Sequence, residues 1–236
     1  MMEKNYLINA IYRATEGEGV HIGTPQVFVR FQGCNIGCLN CDSMDTWDFT
    51  GEMISLEQVW QRVLEESFDG KIKRVSITGG DPLHPKHEKQ VLELAGFLKQ
   101  KGWFVNVEAA GVRLVDSIFD VIDYISFDFK TPSTGVKTRV ENIVRLNKQF
   151  GNKFQVKAVI ADEVDFKATL DAYNEVLAQS ETMDFPWCLT PCYEPSEEFP
   201  MERFEKVQYL NESHGGMFRV IGQQHKWVYG PDRKEV

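Results

Sequence analysis

Cys34-Asn35-Ile36-Gly37-Cys38-Leu39-Asn40-Cys41 sets three thiols within eight residues at C-x3-C-x2-C spacing. Soft thiolates at this density suit an iron–sulfur cluster or zinc. Structural zinc closes its shell with four ligands, and only Cys188 and Cys192, far downstream, could add one. Three cysteines can instead hold three irons of a cubane and leave the fourth open to a small molecule. A second group of interest is Thr78-Gly79-Gly80-Asp81-Pro82. Its glycine pair frees backbone groups for a ligand, or simply forms a tight turn.

These groups need a frame. Short apolar runs predict strands at 6–12, 26–32, 73–78, 103–107, 123–127, 153–160, 186–190 and 217–221. Between them, helical periodicity predicts helices at 55–67 (N-capped by Ser55), 87–101, 114–120, 138–150, 166–180 and 200–213. In the helix at 87–101, Val91, Leu94, Ala95 and Leu98 form one stripe, the spacing a sheet-covering helix needs. The Val-, Ile- and Phe-rich strands are expected to be buried on both faces, as in parallel sheets. Alternating strands and helices predict an α/β fold with a mostly parallel sheet, an open sheet or a partial (β/α) barrel. With no repeat, low-complexity tract or linker, residues 1–236 are expected to form one domain, with a cluster loop at 33–43. Ligands of such folds gather at the carboxyl ends of the strands. That rim carries Gly33-Cys34, Thr78 to Pro82, Glu108, Asp128-Phe129-Lys130 and Thr190.

Composition narrows the classes. Hydrophobic residues make 42% of the 236 and charged residues 26%, which fits a soluble globular chain rather than a disordered one. The formal charge of −9 argues against broad nucleic-acid binding while leaving room for a local basic cleft. No apolar run approaches the roughly 18 residues that span a bilayer, and Met1 to Tyr6 has no signal-peptide core behind it. A cytoplasmic protein is expected, and there clustered cysteines point to metal or redox chemistry before disulfides.

The C-x3-C-x2-C run after a predicted strand resembles the signature of radical S-adenosylmethionine (SAM) enzymes, and Thr78 to Pro82 resembles their SAM-binding GGE/GGD-P motif. Thr15-Glu16-Gly17-Glu18-Gly19, Gly23-Thr24-Pro25, Val27 to Cys34 and Cys41-Asp42-Ser43 followed by Thr46-Trp47 narrow the match. Together they resemble the 7-carboxy-7-deazaguanine synthase family, most densely over 6–50 and 74–82. The resemblance implies a radical SAM partial barrel and the ring contraction of 6-carboxy-5,6,7,8-tetrahydropterin, with loss of ammonia, for 7-deazapurine or queuosine biosynthesis. In that chemistry a 5′-deoxyadenosyl radical takes the substrate C6 hydrogen, and the cofactor performs the difficult step while the protein positions the substrate.

The resemblance also implies a 4Fe-4S cluster on Cys34, Cys38 and Cys41, with Mg²⁺ on Ser43, an oxygen ligand suited to a hard cation. Thr15, Glu16 and Gly17 would line the pterin, Arg30 would hold it by charge-assisted hydrogen bonds, and Thr78 would face it. SAM would meet Asn40, Cys41, Asp42, Gly80, Glu108, Asp128, Lys130 and Thr190. A homodimer and a flavodoxin or ferredoxin reductant are implied as partners, with neither nucleic acid nor membrane.

Each residue has a plainer alternative. Arg30 in an apolar strand requires a partner, either ligand or ion pair. Ser43 fits an ordinary turn, Glu16 and Glu18 a solvated loop, and Glu108 a local ion pair. Lys130 fits a snorkelling surface lysine, Cys188 and Cys192 inert buried thiols, and His225 a hydrogen-bonded structural residue. The chain departs from the family pattern at Glu16, where Gln is usual, and at Asp128, where Ser is common. Gly222 to Lys226 lacks the family's proline, and the tail 227–236 extends past the end of some members. A radical SAM activase that makes a glycyl radical on a partner protein shares the cysteine spacing, but does not need the 15–19 turn, Arg30 or Ser43. A cluster or zinc protein without radical chemistry leaves Gly79-Gly80 unexplained.

Overall fold

A computed structural model of the chain describes residues 4–195 and 197–236. One nine-stranded sheet runs through them in the order β3-β1-β2-β4-β5-β6-β7-β8-β9. The strands are β1 (Lys4–Thr15), β2 (Pro25–Phe31), β3 (Met53–Ser55), β4 (Arg74–Gly79), β5 (Phe104–Ala109), β6 (Tyr124–Asp128), β7 (Phe154–Ile160), β8 (Trp187–Pro191) and β9 (Arg219–Val220). From β2 onward through β4 to β9 all neighbours are parallel, while β1 pairs antiparallel with both β2 and β3. The helices are α1 (Leu56–Glu66), α2 (Glu88–Gln100), α3 (Asp116–Val121), α4 (Val140–Phe150), α5 (Glu163–Ala178), α6 (Met201–Ser213) and α7 (Gln224–Tyr229). Among the described residues no helix is long and apolar enough to cross a membrane.

The expected stripe of α2 is in place: Val91, Leu94, Ala95 and Leu98 are all fully buried against the sheet. Full burial of a Val or Leu side chain stabilises by about 1.5–3 kcal/mol. Ser55 caps α1 as its position predicts, accepting from the Gln58 N–H while the Gln58 side chain accepts from the Ser55 N–H. Asp162 caps α5 by accepting from Val164 and Asp165, so that helix begins three residues before the predicted 166.

Among the strands and α-helices described, two short ones lay outside the sequence prediction. Met53–Ser55 has only three residues to show periodicity, and it becomes a strand because β1 offers it an edge. Gln224–Tyr229 lies in the stretch read only as a motif.

The strands are buried on both faces as expected, but the two faces differ in chemistry. Alternate residues Val75 and Ile77, Val105 and Val107, Ile125 and Phe127, Phe154 and Val156 pack into the core beneath the helices. Their neighbours on the opposite face are polar: Gln26, Ser76, Asn106, Ser126 and Gln155. Asn106 donates to Ser76, and Gln155 donates to Ser126, so this buried polar belt is hydrogen-bonded across strands. The sheet is therefore apolar outside and polar inside.

The sheet also curls. Val20, just beyond β1, donates its backbone N–H to Gln155 on β7 at 2.8 Å. A flat sheet of this order would keep those elements five strands apart, so the contact marks a partial barrel. Gly19 permits the approach: it has φ +66°, and a Cβ there would meet the Gln155 side chain at 2.4 Å.

Candidate active site at the carboxyl ends of the strands

Parallel strands place their C-terminal residues on one rim, and here the rim surrounds a cavity of about 630 Å³. Register aligns the rim: Arg30 pairs with Thr78 across β2 and β4, and Asp128 with Lys157 across β6 and β7. Cys34, Cys38 and Cys41 line this cavity with Thr15, Glu16, Gly17, Arg30, Asn40, Asp42, Ser43, Thr78, Gly80, Glu108, Asp128 and Lys130. One residue expected there is elsewhere. Thr190 does not line the cavity; it is buried, and its hydroxyl has no hydrogen-bond partner among the described residues.

The cysteine loop is held by its flanks. Gly33 and Cys34 donate to the carbonyls of Thr46 and Trp47, and Leu39 donates to that of Thr134. Trp47 Nε1 donates to Cys41 Sγ at 3.4 Å, and the Ile36 N–H donates to Cys34 Sγ at 3.4 Å. Gly80 lies directly under the loop: a Cβ there would meet Cys34 Cβ and Gly33 O at 2.7 Å and Thr46 O at 2.8 Å. The glycine pair thus has a packing reason in addition to any ligand it serves.

Burial pushes the Cys34 and Cys38 thiols up, opposed at Cys34 by the Ile36 N–H and at Cys38 by Lys130. Among the described residues no three acidic, thiol or imidazole side chains converge as a single-ion site requires. One thiol per iron at separate corners is the demand of a cubane, and the donor set of three free cysteines on one loop fits it.

Arg30 donates to Tyr12 Oη at 2.8 Å and Ser43 Oγ at 3.2 Å, while Ser43 donates to Asp42 at 3.0 Å. Burial would lower the Arg30 value, but Tyr12 together with Asp42 and Asp45 raises it, so the guanidinium stays charged within the cavity. Ser43 joins the arginine to an acidic side chain, and so does more than terminate a turn. Lys130 is no surface lysine: it lies 2.8 Å from Asp128, and this pairing outweighs burial to raise its value.

Glu16 and Glu18 are not a solvated loop. Glu16 is only 7% exposed, and Glu18 accepts from Gln223 at 2.7 Å. Burial pushes the Glu16 carboxyl up to about 7, with Glu108 adding to the effect and Lys157 opposing it. Burial would raise Glu18 too, yet Lys157, His225 and the Gln223 amide hold it down at about 2. Glu108 takes the local pairing anticipated as its alternative: Asn106 donates to it at 2.6 Å and Lys157 at 2.8 Å, and it lines the cavity as well.

Sequence reasoning passed over Lys157. The available signal was a lone lysine in the apolar run Phe154–Ile160, costly to bury unless paired. The tail was also left without a role, yet Pro231 to Val236 line the cavity mouth and Lys234 pairs with Asp45. His225 lies against Gly17 at the cavity wall, and Gln224 donates to the Gly17 carbonyl at 2.9 Å. Cys192 lines the cavity, whereas Cys188 is buried beside Gln155 and its thiol is pushed up to about 11 by that burial.

Residues 15–115 match the family described as a 4Fe-4S single cluster domain. A 7-carboxy-7-deazaguanine synthase of Aquifex aeolicus (strain VF5) is 32% identical over 221 residues, covering 93% of this chain and 91% of that protein. Another, from Pyrobaculum aerophilum, is 32% identical over 227 residues and covers 94% of each. The crystal structure of QueE from Escherichia coli aligns with a TM-score of 0.68 at 21% identity, over 93% of this chain and 94% of that one. A radical SAM methyltransferase from Sphaerobacter thermophilus aligns at 0.60 and 12% identity, over 97% and 80%. At these identities the two structures speak for the fold, and the sequences speak for the family.

Proposed function

This chain belongs to the 7-carboxy-7-deazaguanine synthase family, and on that premise we propose that it is a radical SAM lyase. Its reaction converts 6-carboxy-5,6,7,8-tetrahydropterin to 7-carboxy-7-deazaguanine with loss of ammonia. The observation that carries this reading is the convergence on one cavity of the three-cysteine loop, the Arg30–Ser43–Asp42 chain and the Thr15 to Glu18 turn. The glycyl-radical activase is disfavoured, because none of its requirements explains that turn or Arg30.

When bound, a 4Fe-4S cluster and SAM would supply the radical chemistry, while this chain's residues position the substrate. Cys34, Cys38 and Cys41 would hold the cluster. Asn40, Cys41, Asp42, Gly80, Glu108, Asp128 and Lys130 would face SAM, and the Lys130–Asp128 pair offers it both a cation and an acceptor. Thr15, Glu16, Gly17 and Thr78 would line the pterin. Arg30, already fixed by Tyr12, would hold an anionic group of the substrate without reordering. Ser43, beside Asp42, supplies the oxygen chemistry that Mg²⁺ takes. The same reading includes action as a single domain and homodimer in the cytoplasm, with reduction by a flavodoxin or ferredoxin.

The test is anaerobic reconstitution with iron and sulfide, then incubation with dithionite, SAM, Mg²⁺ and the carboxytetrahydropterin, with the product read by mass. A product lighter by ammonia, formed only with SAM and more slowly without Mg²⁺, supports the reading. SAM cleavage with the pterin untouched would overturn the substrate assignment and leave the radical chemistry standing.

A further inference from the structure

Two carboxylates pair with one ammonium group at the inner wall of the cavity, and a third lies beside them. Lys157, 8% exposed, lies 2.8 Å from Glu108 and 3.3 Å from Glu18. Glu16 is the third acid and has no ion pair among the described residues. Its nearest partner is neutral: Gln26 Nε2 donates to Glu16 Oε2 at 2.7 Å. The orientation of that amide is fixed from behind, because Arg74 Nε donates to Gln26 Oε1 at 3.1 Å and an arginine can only donate. Gln26 thus stands between Glu16 and the cation on β4.

The remaining groups around Glu16 do not neutralise it. Glu108 on β5 is negative and Lys157 on β7 is already shared by two acids. Glu18 on the same turn is an anion. His225 on α7 faces this turn, and burial lowers its value, which keeps the imidazole neutral. His21, on the next turn, packs against Phe104 and Tyr124 instead. Glu18, Glu108 and Lys157 already sum to one negative charge, so ionising the buried Glu16 would place a second beside them, with the Arg74 cation reaching it only through the Gln26 amide.

We propose that Glu16 works as a neutral carboxylic acid and donates a hydrogen bond from Oε1 to an acceptor atom of the pterin ring. The oxygen assignment follows from the contacts. Oε2 takes the short bond from Gln26 and is the carbonyl oxygen. Oε1 has only the Glu18 N–H at 3.3 Å and is free to carry the proton toward the cavity. The elevated value of about 7 is consistent with this assignment. Deprotonation turns the donor into an acceptor facing an acceptor, so substrate affinity falls as pH rises.

This inference rests on the pterin reading of the site. Its test compares the reconstituted wild-type enzyme with Glu16→Gln, a permanently neutral donor of the same shape. The pterin KM at saturating SAM is measured from about pH 6 to about pH 9, and titrations shared by both proteins cancel in the ratio. The wild-type KM should rise on the order of tenfold per pH unit above its midpoint relative to the variant. An infrared difference spectrum, wild type minus Glu16→Gln without substrate, should show a carboxylic-acid carbonyl band near pH 6 that is lost near pH 8.5.

Parallel pH profiles with no such band overturn the inference and leave the pterin reading intact. A band with no turnover of the pterin by either protein establishes the neutral acid and overturns the pterin reading, and with it the donor role. If the variant fails to fold, a wild-type KM that is flat with pH overturns the inference by itself.

Discussion

Lys157 Nζ lies 2.8 Å from Glu108 Oε2, although β6 separates their strands. Between them, in register with Glu108, is Ser126, small enough for the lysine to reach across. The lysine also reaches Glu18, 139 residues away in sequence, and so ties the turn after β1 to the far half of the barrel. The ammonium group is the electrostatic centre of the cavity wall.

Removing one partner of a buried ion pair leaves an uncompensated charge and costs about 3–5 kcal/mol. Lys157→Met should therefore lower stability by that order in chemical denaturation. Adding Glu108→Gln should recover part of the loss, since the variant then buries one acid fewer. A loss below about 1 kcal/mol, the size of a surface pair, would show the network to be solvated.

Glu18 gives stability a distinct acid dependence. Its carboxyl, held at about 2 in the folded chain against an ordinary 4.5, favours folding at every pH above the ordinary value. That contribution is lost as pH falls from about 4.5 through about 2, on the order of 3 kcal/mol. Glu18→Gln should be less stable than wild type at neutral pH, with the gap closing as the pH drops. Thermal melts at matched ionic strength measure it, and a constant gap would contradict the assignment.

The cysteines divide by position. Alanine at Cys34, Cys38 or Cys41 should abolish activity and sharply reduce iron retained after reconstitution. Cys188→Ala should retain full iron, because that thiol is buried beside Gln155 away from the cavity. Iron analysis and the visible absorbance of the cluster distinguish the two groups.

Gly80→Ala tests the packing beneath the cluster loop. The added methyl would meet two backbone carbonyls and Cys34 Cβ, all within 2.8 Å. Overpacking of this kind costs about 1–3 kcal/mol, and because the strain falls on Cys34 the variant should also lose iron faster. Gly96→Ala, on the open side of α2 with nothing within 4 Å, is the control and should leave iron retention unchanged.

Much of this molecule was present in the order of its residues. Cys34, Cys38 and Cys41 share one loop, so proximity in sequence ensured proximity in space. The α2 stripe and the Ser55 cap are local patterns with periods of 3.6 residues and three residues, and both formed as expected. The rim assignment followed from parallel strands, whose C-terminal residues must share an edge; Thr190 departed from it, being buried behind the cavity lining.

Only the tertiary structure decided the rest. The polar inner face went unnoticed because the apolar residues alternating with Gln26, Ser76, Asn106 and Gln155 dominate each strand. Which face encloses the cavity depends on the curl of the whole sheet. The Lys157–Glu18 contact, the place of the tail at the cavity mouth and the protonation of Glu16 depend on that closure. A charge acquires its energy from the groups packed around it, and sequence spacing does not carry that information across 139 residues.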